Sequence, residues 1–220
     1  MKINANRNYA VITGDIIGFK QLSLETRQST YGLMARCSAR IRKIFKETIA
    51  YDISMFRGDG WQMLVAEPRL CLRAALFVRA FLIASSPAGS RLDTRMAIGI
   101  GGIDYVPAKN VTAGDGEAFR TSGKKFDLLG KSGGPSLACA NPGFCEEGRM
   151  DKLAALAGRV ADQWQPEQAD TFVRLLEHVG NRALAKKLPG PSHPKSASKL
   201  SAFDWIELVH ILTGFEMLFP

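Results

Sequence analysis

The first 150 residues contain no histidine; the three in the chain are His178, His193 and His210. The four cysteines, Cys37, Cys71, Cys139 and Cys145, show no CxxC spacing. These absences exclude zinc ribbons and fingers, where thiols and imidazoles recur at short fixed intervals. The chain also lacks a long apolar run. Its most apolar helical stretch, Leu70–Ser85, carries Arg73 and Arg79 and is too short to span a bilayer. Met1–Asn8 is polar and has no leader pattern. The expectation is a cytoplasmic, reduced protein with no membrane partner, in which Cys37 and Cys71 are buried helix thiols.

What the chain has is enough apolar content, 46% of 220 residues, for a sizeable core in one large domain, or one domain plus a small one. It also has a net charge of +8, unevenly placed. Residues 151–220 carry 8 basic and 8 acidic side chains, so the first 150 hold the whole excess. A basic surface suits a polyanion such as a nucleotide or nucleic acid; a soluble basic protein with no anionic partner is the plainer alternative.

Two short stretches attract chemistry. Phe56-Arg57-Gly58-Asp59-Gly60-Trp61 lies between apolar runs and reads as a hairpin, because glycine allows positive φ and Asp tolerates turns. Gly14-Asp15-Ile16-Ile17-Gly18-Phe19 follows the apolar run Tyr9–Ile12, a buried strand. Leu24–Ala50 reads as a long helix, with Met34, Cys37, Ile41, Ile44, Phe45 and Thr48 three or four apart. Pro68 opens the Leu70–Ser85 helix. Arg95–Gly102 reads as a strand, Ile103–Gly116 as a loop, Glu117–Leu129 as a helix and Leu137–Ala140 as a strand.

The order strand, helix, strand, strand, helix, strand is that of a split βαβ unit. The fold class expected is α+β: a ferredoxin-like βαββαβ antiparallel sheet with helices on one face, followed by a small all-helical region. There the first strand lies beside the third and antiparallel to it, which brings Asp15 and Asp59 to one edge. Two carboxylates with no nearby imidazole suit Mg²⁺ or Mn²⁺. Separately, Asp15 can be a helix N-cap and Asp59 a turn residue.

These residues resemble the class III nucleotidyl cyclase catalytic domain over about residues 8–140. Asp15-Ile16-Ile17-Gly18-Phe19 is similar to its D-I-x-G-F segment, and Arg57-Gly58-Asp59-Gly60 to its Gly-Asp hairpin. Arg95–Gly102 is similar to its R-x-x-I-G-I-x-x-G strand. Gly116–Lys124 stands where the family has G-x-x-V-N-x-A-A-R. The resemblance implies a nucleoside triphosphate substrate, a homodimer with sites at its interface, and two metals held by Asp15, Asp59 and the Ile16 carbonyl. It also implies phosphate contacts from the turn at Ile17, Gly18, Phe19 and Lys20 and from the hairpin at Gly58, with 3′-hydroxyl attack on the α-phosphate. Arg57 is either a solvated strand residue or a phosphate contact.

Arg120 and Lys124 fall where the family has its catalytic Asn and Arg; Lys keeps the charge without the two-pronged donor. Asp115 lies near the base-contacting Asp without aligning to it, and Met55 replaces the base-selecting Lys. Arg120 and Lys124 are alternatively one solvated helix face, and Trp61 a core or dimer contact.

The expected division is a cyclase-like domain at 1–145 and a helical domain at 151–220. Helices are expected over Asp151–Trp164, from Gln165 to Val179, over Asn181–Leu188 and over Phe203–Phe215. The segment from Asn181 to Leu200 has five basic residues and no acidic one. It resembles the degenerate helix-turn-helix of the SatD family, which implies duplex DNA contacts at Arg182, Lys186, Lys187, Lys195 and Lys199. The stiff Pro-Gly-Pro-Ser-His-Pro connection fits a helical scaffold equally. Two functions of different class follow: a metal-dependent nucleotidyl cyclase or transferase, and a nucleotide-sensing, DNA-binding regulator with little turnover.

Overall fold

The structure is a computed structural model that describes residues 3–4, 6–108, 110–129, 134–179 and 202–219. Five strands, β1 (Tyr9–Ile16), β2 (Ser54–Phe56), β3 (Gly60–Val65), β4 (Thr94–Gly101) and β5 (Leu137–Ala140), form one sheet in the order β2-β3-β1-β4-β5. The α-helices among the described residues are α1 (Leu24–Ile44), α2 (Cys71–Ala84), α3 (Glu117–Leu128), α4 (Glu147–Asp162), α5 (Pro166–Val179) and α6 (Ala202–Glu216). The fold is α+β, and β1 lies antiparallel to β3, as the strand order implied.

Two parts of the expected architecture are corrected. The sheet is mixed, because β5 runs parallel to β4 after the α3 crossover. Helices also cover both faces. Ala10, Ile12 and Ile16 of β1 point into the main core with α1 and α2, while Tyr9 and Val11 pack with Ala118 and Phe119 of α3. The cause is legible at Gly99: a Cβ there would meet Ser122 N at 2.2 Å, so the bare backbone lets α3 lie against the sheet. Thr13 Oγ1 and Ser122 Oγ, 2.9 Å apart, tie the two layers together.

Helix α1 ends six residues before the expected Ala50. After Ile44 the chain turns, and the Thr48 carbonyl accepts the Ala66 N–H at 2.7 Å. Ser23 caps the start of α1, its hydroxyl accepting from Thr26 N at 3.1 Å. Helices α4–α6 extend the main core rather than standing clear of it: Trp164, Phe172 and Phe215 are fully buried in the same cluster as Phe77 of α2.

Two buried arginines on α2 anchor them. Arg73 pairs with Glu216 of α6. Arg79 donates to Asp93 Oδ1 and Oδ2 at 2.8 and 2.9 Å, to Asp162 Oδ1 of α4 at 2.7 Å, to Ser136 Oγ at 2.7 Å and to the Gly158 carbonyl at 2.9 Å. A buried guanidinium is tolerable only with such a full complement of partners.

Among the described residues no helix is long and apolar enough to cross a membrane. The expected helix at Asn181–Leu188 and the rest of the helix-turn-helix-like segment to Leu200 lie outside the described residues.

Candidate functional site

The site begins at the end of β1. Side chains of β1 alternate, so Asp15 follows Val11 and Thr13 onto the face that α3 covers. Its partner across β3 is Gly60, and its partner across β4 is Arg95. The register therefore brings the β2–β3 hairpin, with Asp59 one residue before Gly60, to the end of β1. Asp59 is fastened there by its backbone, whose carbonyl accepts the Ile16 N–H at 3.1 Å.

The glycines of the hairpin have distinct jobs. Gly58 has φ 94°, in the region that favours glycine, and follows Arg57, the lone non-glycine with positive φ among the described residues (52°). Gly60 has no room for a Cβ, which would lie 2.7 Å from the Phe56 ring. Gly14, opposite Trp61, leaves space for the indole, which is fully buried core as one alternative had it. Trp61 Nε1 donates to Thr94 Oγ1 at 2.9 Å, and the Thr94 hydroxyl donates to the Asp15 carbonyl at 2.6 Å.

Asp15, Ile16, Ile17, Gly18, Phe19 and Asp59 line one cavity of about 370 Å³. Lys20, Arg95 and the segment Gly134–Ser136 complete much of the wall. Arg95 straddles the Asp15 carboxylate, with Nε–Oδ1 at 2.9 Å and Nη2–Oδ2 at 2.8 Å. Its guanidinium also lies over the Phe126 ring of α3, 5.2 Å from the centroid. Hydrogen bonding to Asp15, then its charge and that of Asp59, hold the Arg95 proton more firmly than usual. The Asp59 side chain makes no hydrogen bond or ion pair to any described residue.

The turn after β1 offers fewer backbone donors than the sequence suggested. Ile16 N–H is taken by Asp59, and Ile17 N–H donates to the Asp93 carbonyl at 2.9 Å. Gly18, with φ 66°, starts a short 3₁₀ turn, Phe19–Gln21. The amides of Gly18, Phe19 and Lys20 have no acceptor among the described residues, and these three remain for an anion.

The cavity's donors test its fit to a hard divalent cation. Two carboxylates and backbone oxygens suit Mg²⁺ or Mn²⁺, and among the described residues no thiol or imidazole lines the wall. Among the described residues no group of three or more His, Cys, Asp or Glu is close enough to hold a metal. The protein side therefore supplies two acidic groups at most, so water or ligand oxygens must fill the remaining positions.

The other expected site residues lie elsewhere in the chain. Arg57 is exposed, and Gly58 packs near Phe19 and Tyr31. Arg120 Nη1 donates to Asp115 Oδ1 at 2.7 Å, and its Nη2 lies 3.5 Å from Asp104 Oδ2. Asp115 bridges to Tyr105 beyond the far end of β4. That end is about 20 Å from Arg95, at ~3.3 Å per strand residue. Lys124 is exposed one turn along α3. None of these residues is among the described residues that line the cavity. Arg182, Lys186, Lys187, Lys195 and Lys199 lie outside the described residues.

Arg95 and Ser136 line the cavity without having been expected there, and Lys20 was expected only as part of the turn. Arg95 carried a signal, a cation opening the strand before Ile98-Gly99-Ile100, but its partner depends on register, which no local pattern fixes.

No family model matches the chain, and no curated protein sequence does. Three of the solved structures similar to parts of it are cyclases. One is the catalytic core of a rhodopsin-guanylyl cyclase with converted specificity in complex with ATPαS, 15% identical over 55% of this chain and 72% of that one, with a TM-score of 0.40. Two are structures of a bacterial light-regulated adenylyl cyclase, 16% and 15% identical, each over 61% of this chain and 43% of the other, with TM-scores of 0.41 and 0.39. These are partial likenesses, and no residue role is transferred from them.

Proposed function

We propose that the chain is a divalent-cation-dependent nucleotide-binding protein, a nucleotidyl cyclase or transferase acting on a nucleoside triphosphate. One observation carries the reading: Asp15 and Asp59, far apart in sequence, line a single cavity with the cations Lys20 and Arg95. Such a wall grips both halves of a metal–phosphate complex. A bound Mg²⁺ or Mn²⁺ supplies charge neutralisation at the phosphates and activation of a 3′-hydroxyl. Asp15 and Asp59 hold the cation. Lys20 and the amides of Gly18–Lys20 hold phosphate oxygens. Arg120 and Lys124 serve only if a second copy presents them, which makes the active form a homodimer.

A second reading is favoured by Arg120, whose guanidinium faces Asp104 and Asp115 and is not among the residues lining the cavity. In that reading the protein senses a nucleotide with little turnover, and the basic segment from Arg182 to Lys199 contacts duplex DNA.

Incubation with each nucleoside triphosphate and Mn²⁺, followed by separation of products, tests both. Pyrophosphate release that Asp59→Ala abolishes supports the enzyme. Nucleotide binding without product, with salt-sensitive duplex binding lost on neutralising Lys186, Lys187, Lys195 and Lys199, supports the regulator. Truncation at 151 is unsuitable, since Trp164, Phe172 and Phe215 belong to the main core. Nucleotide binding indifferent to both Asp15→Asn and Asp59→Asn overturns the shared premise.

A further inference from the structure

The Asp15–Arg95 pair is more than a rim contact. Both N–O distances are below 3.0 Å, the side chains are only 20% and 28% exposed, and the Phe126 ring backs the guanidinium. The pair also has a fixed origin, because antiparallel register sets Asp15 opposite Arg95 on one face of neighbouring strands. A cation reaching Asp15 therefore meets a carboxylate already neutralised by a two-pronged partner.

An anion entering alone faces the mirror problem. For Arg95 to join Lys20 in holding it, the guanidinium must leave Asp15, which is then uncompensated beside Asp59 in a recessed cavity. Alone, a cation finds only Asp59 and an anion only Lys20 and its turn, while Asp15 and Arg95 stay locked to each other. A cation and an anion arriving together unlock them: the metal takes the carboxylates, and the freed guanidinium takes the phosphate oxygens, with Lys20 on the same wall.

Building on the cation reading above, we propose that Arg95 is a resident counter-ion of Asp15 that makes the cavity accept a divalent cation and a polyphosphate as one complex rather than separately. The two ligands are then thermodynamically coupled, and the coupling is reciprocal. The cavity discriminates against free Mg²⁺, which cells hold in excess over any site, and against metal-free polyphosphate.

The test uses the full chain, with Mn²⁺ followed by the paramagnetic signal of the free ion and inorganic tripolyphosphate as the anion. Wild type is expected to bind Mn²⁺ alone weakly, tripolyphosphate with chelator weakly, and manganese tripolyphosphate at least tenfold more tightly than either. Arg95→Gln removes the counter-ion, so Mn²⁺ alone binds about tenfold more tightly, the factor that ~1.4 kcal/mol represents, and the advantage of the complex shrinks. Arg95→Lys keeps a cation without the fork and shifts Mn²⁺ affinity the same way by less; it carries the test if the Gln variant does not fold. If Arg95→Gln leaves Mn²⁺ affinity unchanged or weaker while Asp15→Asn and Asp59→Asn abolish binding, the counter-ion role is overturned and the cation site stands. If neither Mn²⁺ nor its tripolyphosphate complex binds wild type or Arg95→Gln, both ideas fall together.

Discussion

The two ends of β4 carry the same chemistry in different surroundings. At its start, Arg95 pairs with Asp15 beneath a cavity wall, both side chains less than a third exposed. Beyond its far end, Arg120 pairs with Asp104 and Asp115, all more than half exposed. Coulomb attraction between exposed groups is weakened by water and salt, so the far cluster lets go of its arginine readily. The near pair, partly desolvated and two-pronged, resists separation until another charge replaces one member. Burial, not the residue types, decides which arginine is a latch and which is merely parked.

The largest effect available bears on what holds the near end in place. Asp93 presents its carbonyl to Ile17 and its carboxylate to Arg79. Arg79→Ala leaves Asp93 with Arg91 and the Thr94 N–H as its partners and takes the buried cation from Asp162, and should lower stability by about 3 kcal/mol in urea unfolding, the low end for a broken buried pair. A loss below about 1 kcal/mol would show that the cluster does not hold α2 against α4. Next is Gly99→Ala, which forces α3 off the strand that joins the two ends and should cost about 1–3 kcal/mol, with wider separation of Thr13 from Ser122. An unchanged midpoint would contradict the close seating of α3.

The comparison itself is sharpened by paired substitutions. Arg120→Ala should change stability by less than about 1 kcal/mol and leave Mn²⁺ affinity alone. Asp59→Asn should abolish Mn²⁺ binding while holding or raising stability, because it removes one negative charge near another. Equal responses at both ends would erase the distinction.

The smallest effect is chemical. Burial pushes the thiols of Cys37, Cys71 and Cys139 above their ordinary range, and Cys145 is exposed. A thiol reagent at neutral pH should label one cysteine quickly and the other three only on unfolding. Rapid labelling of a second would mean that the core opens locally.

Much of this was legible in the chain. Continuous apolar residues marked β1, and Gly-Asp-Gly marked the hairpin, because both signals are local. The convergence of Asp15 and Asp59 followed from strand order alone. Arg95 was read as part of a strand motif and not as a partner of Asp15, since pairing across strands depends on register. The placement of α3 was hidden for a related reason: Gly99 was read only as part of a strand, and a strand glycine does not say which layer will approach it. The Arg79 cluster joins α2, the start of β4 and α4, three segments that no short-range pattern connects.

The hydroxyl of Thr94 receives the indole N–H of Trp61 and passes its own proton toward the Asp15 carbonyl. A chromophore is thereby linked through one hydroxyl to the backbone of Asp15, the residue proposed to hold the cation. Its emission should respond when the cavity fills, making the protein its own fluorescent probe without any attached dye.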